Sequence, residues 1–303
     1  MSTALALGTY RCRDAAASAA LAVATGTQWI DTAPNYGNGA VQPTLAPILT
    51  AHPEVGVSTK VGFLTDQTAQ DALDQGVLTP WDTVHDHSLD PRYIEWQVRR
   101  SRSELGRTCL DTVFVHNPER ACGEDRNELH RALRRAFAAL EHQAALGNID
   151  GYGVATWSGF ADGVFTVDEL IRLAFQASGG CIPRLTSIQL PVSLVNLAPL
   201  QAALAGEGPI TDAHRAGLEV LASAPLHGGE LDNLATDELA AYIRPGLSRA
   251  AACLHTVASC PGVTRVLLSA STPAHWHEAV HAVGLAPLDT THLREITDVL
   301  ATS

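Results

Sequence analysis

VGVSTKVGF, residues 55–63, is a β-branched run of strand length that holds the only lysine of a 303-residue chain with nineteen arginines. Working outward from it, seven more runs rich in Val, Ile and Leu recur: ALALGTY (4–10), QWIDTA (28–33), LDTVFVH (110–116), DGYGVATW (150–157), LTSIQLPVS (185–193), LEVLASAPL (218–226) and TRVLLSAS (264–271). The segments between them read as helices. NELHRALRRAFAALEHQAALG, residues 127–147, places apolar residues at helical spacing and ends on a glycine cap. Strands alternating with helices imply parallel pairing through right-handed crossovers. Eight such units in about 300 residues predict a closed (β/α)8 TIM barrel rather than an open sheet. No Pro- or Ser-rich linker divides the chain, so residues 1–303 read as one domain. The connection 64–91 is long for a βα loop and reads as a lid-like element on the barrel's C-terminal face.

Composition narrows the function. A formal net charge of −12 excludes a phosphate-reading surface and so argues against nucleic acid. No apolar run approaches the ~20 residues needed to span a bilayer. The start MSTALALGTY lacks a basic region and a small-residue cleavage site, so no signal peptide is expected. Cysteines 12, 109, 122, 181, 253 and 260 form no C-x-x-C pair, which suits reduced thiols in the cytoplasm.

The shortage of lysine makes Lys60 a candidate functional residue. Arginine serves for solubility and ion pairs, but not where a compact ammonium beside a titrating group is required. Asp31 ends the second strand, Tyr36 follows it, Lys60 lies near the end of the third and His116 ends the fourth. In a barrel these positions converge on one mouth. The carboxylate would pair with the lysine. The ammonium would favour the phenolate of Tyr36, drawing its pKa down from about 10 toward neutrality. His116 would hydrogen-bond a substrate oxygen, and the set would form a proton donor for carbonyl chemistry.

IDTAPNYGNG (30–39), VSTKVG (57–62), VFVHNPE (113–119), GNIDGYGVATW (147–157), TSIQLPVSLVN (186–196) and LASAPLHGGEL (221–231) resemble the successive motifs of the aldo-keto reductase superfamily, in a bacterial branch. The resemblance runs from LGTY (7–10) to SASTPAHWHEAV (269–280), nearly the whole chain. It implies that Tyr36 is the general acid, with Lys60, Asp31 and His116 beside it, and that NADP(H) or NAD(H) exchanges hydride with a small carbonyl or alcohol substrate. Implied cofactor contacts are Gly8, Thr9, Ala155, Thr156, Gln189, Ser223, Pro225, Leu226, Ser269, Ser271, Thr272 and Glu278, with His227 after the seventh strand beside them.

Two departures stand out. Where many members have Ser-Asn after the fifth strand, this chain has Ala155-Thr156 followed by Trp157, and Ser223 occupies the usual place of an aromatic that stacks on nicotinamide. After the last strand Ser271 and Thr272 can cap a helix, but no cation accompanies them to meet a 2′-phosphate. NADPH, NADH and a non-redox acid/base catalyst on the same scaffold therefore stay open. Trp81, His85, His87 and Trp157, with Tyr93, are the candidate substrate contacts. HEAVH, residues 277–281, matches a zinc motif, but Pro287 stands at the extended pattern's third ligand position, so no metal is expected.

Overall fold

The computed structural model describes residues 3–83, 86–121, 123, 125–270 and 272–301. The eight apolar runs form the strands β1 (Ala4–Gly8), β2 (Trp29–Asp31), β3 (Gly56–Val61), β4 (Leu110–His116), β5 (Ile149–Ala155), β6 (Leu185–Pro191), β7 (Glu219–Ser223) and β8 (Arg265–Leu268). Each pairs in parallel with the next and β8 closes on β1, a (β/α)8 TIM barrel. All six residues of β3 are buried, as expected for a strand covered on both faces.

The helices are α1 (Ala15–Ala24), α2 (Val41–Ala51), α3 (Asp66–Asp74), α4 (Pro91–Glu104), α5 (Arg126–Ala145), α6 (Val167–Ala177), α7 (Ala198–Ala205), α8 (Gly208–Arg215), α9 (Leu231–Leu234), α10 (Asp237–Ile243), α11 (Arg249–Ala258), α12 (Pro273–Gly284) and α13 (Thr290–Ala301). Their starts follow local chemistry. Asp125 accepts the N–H groups of Asn127 and Glu128 at the head of α5, and Thr166 with Glu169 forms a capping box on α6. Among the described residues no helix is long and apolar enough to cross a membrane.

Strand register determines what faces inward. Leu7, Val113, Val115, Val154, Val220 and Val266 pack outward with the helices in one core, whereas Ala6, Phe114, Ala155, Leu221 and Leu267 form a separate cluster inside the barrel. Pairings Gly8↔Asp31, Asp31↔Ser58, Lys60↔Phe114, His116↔Ala155 and Ala155↔Gln189 put these residues on the same alternation as the inner cluster. Polar residues toward the C-terminal ends of four strands, β2, β3, β4 and β6, thus converge on the mouth.

The connection 64–91 is more built than a lid-like loop. It contains α3 and a 3₁₀ turn at Pro80–Thr83, and Leu64, Ala72 and Leu78 bury a small core against Tyr93 and Trp96 of α4. Tyr93 is therefore not a pocket residue: its ring is buried and its hydroxyl donates to the carbonyl of Phe63 at 2.8 Å. The apolar face of α4 needed a partner, and the connection supplies one.

Gly153 marks the tightest place in the sheet. A Cβ there would stand 2.3 Å from the carbonyl oxygen of Ser187 and 2.7 Å from the Phe114 ring, beside the register shift between β5 and β6. Because backbone cannot yield as a flexible side chain does, Gly153→Ala is expected to destabilise the barrel by about 2 kcal/mol. Thermal unfolding monitored by circular dichroism checks this; an unchanged midpoint would contradict the packing described.

Candidate active site

The site begins with a buried ion pair. Lys60 Nζ lies 2.6 Å from Asp31 Oδ2, with side-chain exposures of only 2% and 4%, and donates also to the carbonyl of Thr32 at 2.9 Å. The other oxygen of Asp31 accepts the hydroxyl of Ser58 at 2.7 Å, and Ser58 in turn accepts the indole N–H of Trp29 at 3.0 Å. Thr9 is buried beneath, its hydroxyl donating to the carbonyl of Asp31 at 2.9 Å. Burial opposes the charge on Lys60, but the attraction of Asp31 and Tyr36 outweighs it, so the ammonium is held above its usual range.

Tyr36 heads a turn in which Gly37 and Asn38 are left-handed, and its ring centroid lies 4.8 Å from Lys60 Nζ. Here the structure corrects the expectation of a depressed pKa. Burial raises the phenol most, Lys60 pulls it down, Asp31 raises it again, and the result lies above 10. The phenol is held in its neutral form beside the Lys60 ammonium.

His116 stands edge-on to Tyr36, the ring centroids 6.3 Å apart at 81°. Burial, then the charges of Lys60 and Arg120 and the neighbouring His87, hold it well below 6.5, so its ring is neutral. Its Nδ1 is buried without a hydrogen-bond partner among the described residues. An orphaned N–H costs more than an orphaned lone pair, so we place the hydrogen on Nε2.

The remaining predicted residues divide. On the nicotinamide side Thr156 and Gln189 lie side by side, the Thr156 N–H donating to the Gln189 carbonyl at 2.9 Å. The Thr156 hydroxyl accepts the N–H of Gly159 at 2.8 Å and keeps its own hydrogen to donate. Gln189 is 4% exposed, yet its side-chain amide makes no hydrogen bond to any described residue. Gly8, Ala155 and Ser223 sit at the ends of β1, β5 and β7, while Pro225 is buried. Leu226 is partly buried and packs against the core.

On the adenosine side Ser269 is engaged, whereas Thr272 keeps its hydroxyl hydrogen to donate. Ser269 donates its hydroxyl to the Tyr10 carbonyl at 2.9 Å, and Thr272 caps α12 by accepting the His275 N–H at 3.3 Å. Glu278 is half-buried on α12, and Ser271 lies outside the described residues. Arg265 pairs with Glu219 and Arg294 donates to the carbonyl of Leu204, so neither serves this end. His277 and His281 are exposed on α12, and no group of three metal-binding side chains gathers among the described residues.

The substrate candidates fare unevenly. Trp157 is 55% exposed, fixed by its N–H to Glu119 Oε1 at 3.0 Å, and lines a cleft of about 220 Å³ with Phe160, Leu190 and Pro199. Trp81 is 87% exposed on its turn, and His85 lies outside the described residues. His87 is corrected: it is buried, its Nε2 sits 2.6 Å from the His116 carbonyl, and burial pushes its pKa down to about 4. It supports the site and does not face a substrate.

Arg11 was not foreseen. It follows Tyr10 with a left-handed φ of 55°, its guanidinium carbon 5.3 Å from the Tyr10 ring, which itself packs 5.2 Å from Tyr36. A Cβ built on Gly228, in the turn after β7, would lie 3.5 Å from Arg11 Nη1. Arg11 has no hydrogen bond or ion pair among the described residues. Ala224 and His227 in that turn are also left-handed, at 49° and 48°. Strained non-glycine backbone gathers at functional sites, and barrels often hold phosphate in the loops after strands 7 and 8. No sequence motif marks one arginine among nineteen; only the approach of two loops does.

With this geometry in hand the relatives are informative. The Aldo/keto reductase family model matches residues 4–301, and the chain belongs to that family. It is 33% identical over 150 residues to the pyridoxal 4-dehydrogenase of Microbacterium luteolum, covering 43% of this chain and 42% of that protein. It is 30% identical over 138 residues to a D-threo-aldose 1-dehydrogenase from a Pseudomonas species, covering 43% and 40%. Either match thus spans less than half of the relative's length. Among solved structures, an aldo-keto reductase from Klebsiella pneumoniae in complex with NADPH aligns with a TM-score of 0.70 at 16% identity, covering 98% of this chain and 90% of that one. A glycerol dehydrogenase from Gluconobacter oxydans aligns at 0.73 and 19% identity, covering 98% and 91%. At those identities the likeness shows the fold.

The corrected acidity of Tyr36 can be measured. In a spectrophotometric titration of wild-type protein against Tyr36→Phe, the difference should show no phenolate from Tyr36 below pH 10. A phenolate band emerging near neutral pH would contradict the balance of burial over attraction.

Proposed function

We propose that the protein is a nicotinamide-nucleotide-dependent oxidoreductase that interconverts a carbonyl and an alcohol on a small molecule, with Tyr36 as the general acid. The observation that carries this reading is a neutral phenol, a buried Lys60–Asp31 pair and a neutral imidazole at one barrel mouth. In the reducing direction the phenol of Tyr36 gives its proton to the carbonyl oxygen as that oxygen gains charge. Lys60 stabilises the phenolate left behind, and Asp31 and Ser58 keep Lys60 charged and in place. His116 donates from Nε2 to the same oxygen, fixing the carbonyl and sharing its developing charge. In the oxidising direction the same step runs backward through the small phenolate fraction of Tyr36 that Lys60 stabilises, which takes the alcohol's proton.

The cofactor set fits in part. The unpartnered Gln189 amide and the free hydroxyl hydrogen of Thr156 suit a carboxamide, and Arg11 against the β7 turn suits a diphosphate. When bound, the nucleotide supplies or accepts the hydride. The NADPH complex of the Klebsiella protein supports this reading, as do relatives named as dehydrogenases of pyridoxal and of an aldose. Because neither Arg265 nor Arg294 among the described residues is free to meet a 2′-phosphate beside Thr272, discrimination between NADPH and NADH should be weak. Trp157 is the candidate wall of the substrate cleft. We place the reaction in the cytoplasm, in keeping with cysteines scattered along the sequence without a C-x-x-C pair.

Titration of the protein with NADPH and with NADH, followed by tryptophan quenching, should show micromolar binding of both. Turnover of a panel of small aldehydes should accompany it. Arg11→Gln should weaken both nucleotides by a similar factor, roughly tenfold, because both carry the diphosphate. An unchanged affinity would remove Arg11 from the site. No binding of either nucleotide up to millimolar would overturn the redox reading in favour of acid/base chemistry without hydride transfer.

A further inference from the structure

The connection 64–91 reaches back to the catalytic strand at one point, and it does so through a histidine. Phe63 and His87 form an isolated antiparallel bridge, secured by Leu64 N–H to the Asp86 carbonyl at 2.9 Å and Ser88 N–H to the Gly62 carbonyl at 2.8 Å. The bridge brings the His87 ring over Gly62, where a Cβ would meet His87 Cε1 at 2.6 Å. Gly62 also has a φ of +118°, so glycine is required there twice over. Its N–H donates to Gln97 Oε1 at 2.6 Å, and Gln97 donates onward to the Phe63 carbonyl at 3.1 Å. The far side of the bridge is held by the ion pair of Asp86 with Arg120.

Two routes lead from His87 to His116. His87 Nε2 lies 2.6 Å from the carbonyl oxygen of His116, and because that oxygen only accepts, His87 is the donor. The Phe63 ring lies between the two imidazoles, its centroid 5.3 Å from His87 and 4.7 Å from His116, edge-on to both. The backbone and the ring of the residue that meets the substrate oxygen are therefore both held from the same connection.

We propose that the bridged stretches 62–64 and 86–88 form a fixed clamp on the end of β4 and that His87 is a positioning residue for His116, setting the direction of its Nε2–H toward the substrate oxygen. The inference rests on the functional reading of His116 given above. It assigns His87 a donor role that an aromatic hydrocarbon of the same shape cannot fill, and it makes the connection part of the catalytic apparatus in place of a gate. A reacting group displaced by about 1 Å loses up to a hundredfold in rate while ground-state binding is untouched, so His87 should appear in kcat and not in KM.

The test compares His87→Phe, which keeps the ring but lacks the donor, with His87→Gln, which carries an N–H₂ at similar reach. The first readout needs no substrate: correlation spectra of isotope-labelled histidine nitrogens, with the His116 signals assigned from a His116→Asn variant. Wild type and His87→Gln should each show one neutral His116 ring with the hydrogen on Nε2, and His87→Phe should shift and broaden it. In turnover, His87→Phe should lose roughly tenfold or more in kcat with KM and nucleotide affinity within about twofold, and His87→Gln should recover most of it. His116 signals in His87→Phe that superimpose on wild type, or a folded His87→Gln that behaves like His87→Phe, would overturn the proposal. Should His87→Phe not fold, the His116 signals of His87→Gln decide it: one ordered ring supports the clamp and an averaged ring overturns it. A wild-type protein without turnover on any carbonyl would overturn the functional reading alone, since the spectra still report on the clamp.

Discussion

A lysine ammonium and an aspartate carboxylate, each almost wholly removed from water, form the constraint around which the barrel mouth is arranged. Desolvating two charges costs several kcal/mol apiece, and their attraction offsets this only when the remaining hydrogen-bonding capacity is met. Here it is met from strand ends: Thr32 and Ser58 satisfy the pair, and Trp29 satisfies Ser58. The partners sit on neighbouring strands at adjacent registers, so the same hydrogen-bond ladder that closes the barrel aligns the ions. The pair is a poor way to stabilise a fold, and its retention makes chemical sense because a phenol lies against it.

The balance at Tyr36 explains why lysine survives where arginine has taken every other basic position. A buried phenol resists ionisation, which keeps its proton available; a compact ammonium beside it lowers the cost of losing that proton during the reaction. A guanidinium would spread its charge over a planar fork needing several acceptors, and this pocket offers the carboxylate and one carbonyl. His116, held neutral, adds a donor without adding a second positive charge next to Lys60.

Much of this was legible in the sequence because strands covered on both faces are written as continuous apolar runs. A polar residue at the end of such a run is conspicuous, as Asp31, Lys60 and His116 are, whereas Gln189 stands out only through the family resemblance. The segments 64–91 and 227–258 were not readable in the same way. Both hold short helices whose partners are distant in sequence, so the burial of His87 and Tyr93 leaves no mark in the local pattern. The sign of the Tyr36 shift was missed because attraction by Lys60 can be inferred from order along the chain, whereas desolvation depends on everything packed around the ring. Arg11 became visible only when the loops after β1 and β7 met.

The mouth is made of strand ends that carry Asp31, Lys60 and His116 and of loops whose left-handed residues Arg11, Ala224 and His227 lie after β1 and β7. The central claim is that the Tyr36 phenol delivers the proton in the chemical step. The most direct measurement is turnover of Tyr36→Phe on an aldehyde reduced by the wild-type protein, with nucleotide affinity measured on the same sample. The account predicts a loss of at least a hundredfold in turnover with nucleotide affinity unchanged. Undiminished turnover by the phenylalanine variant would contradict it.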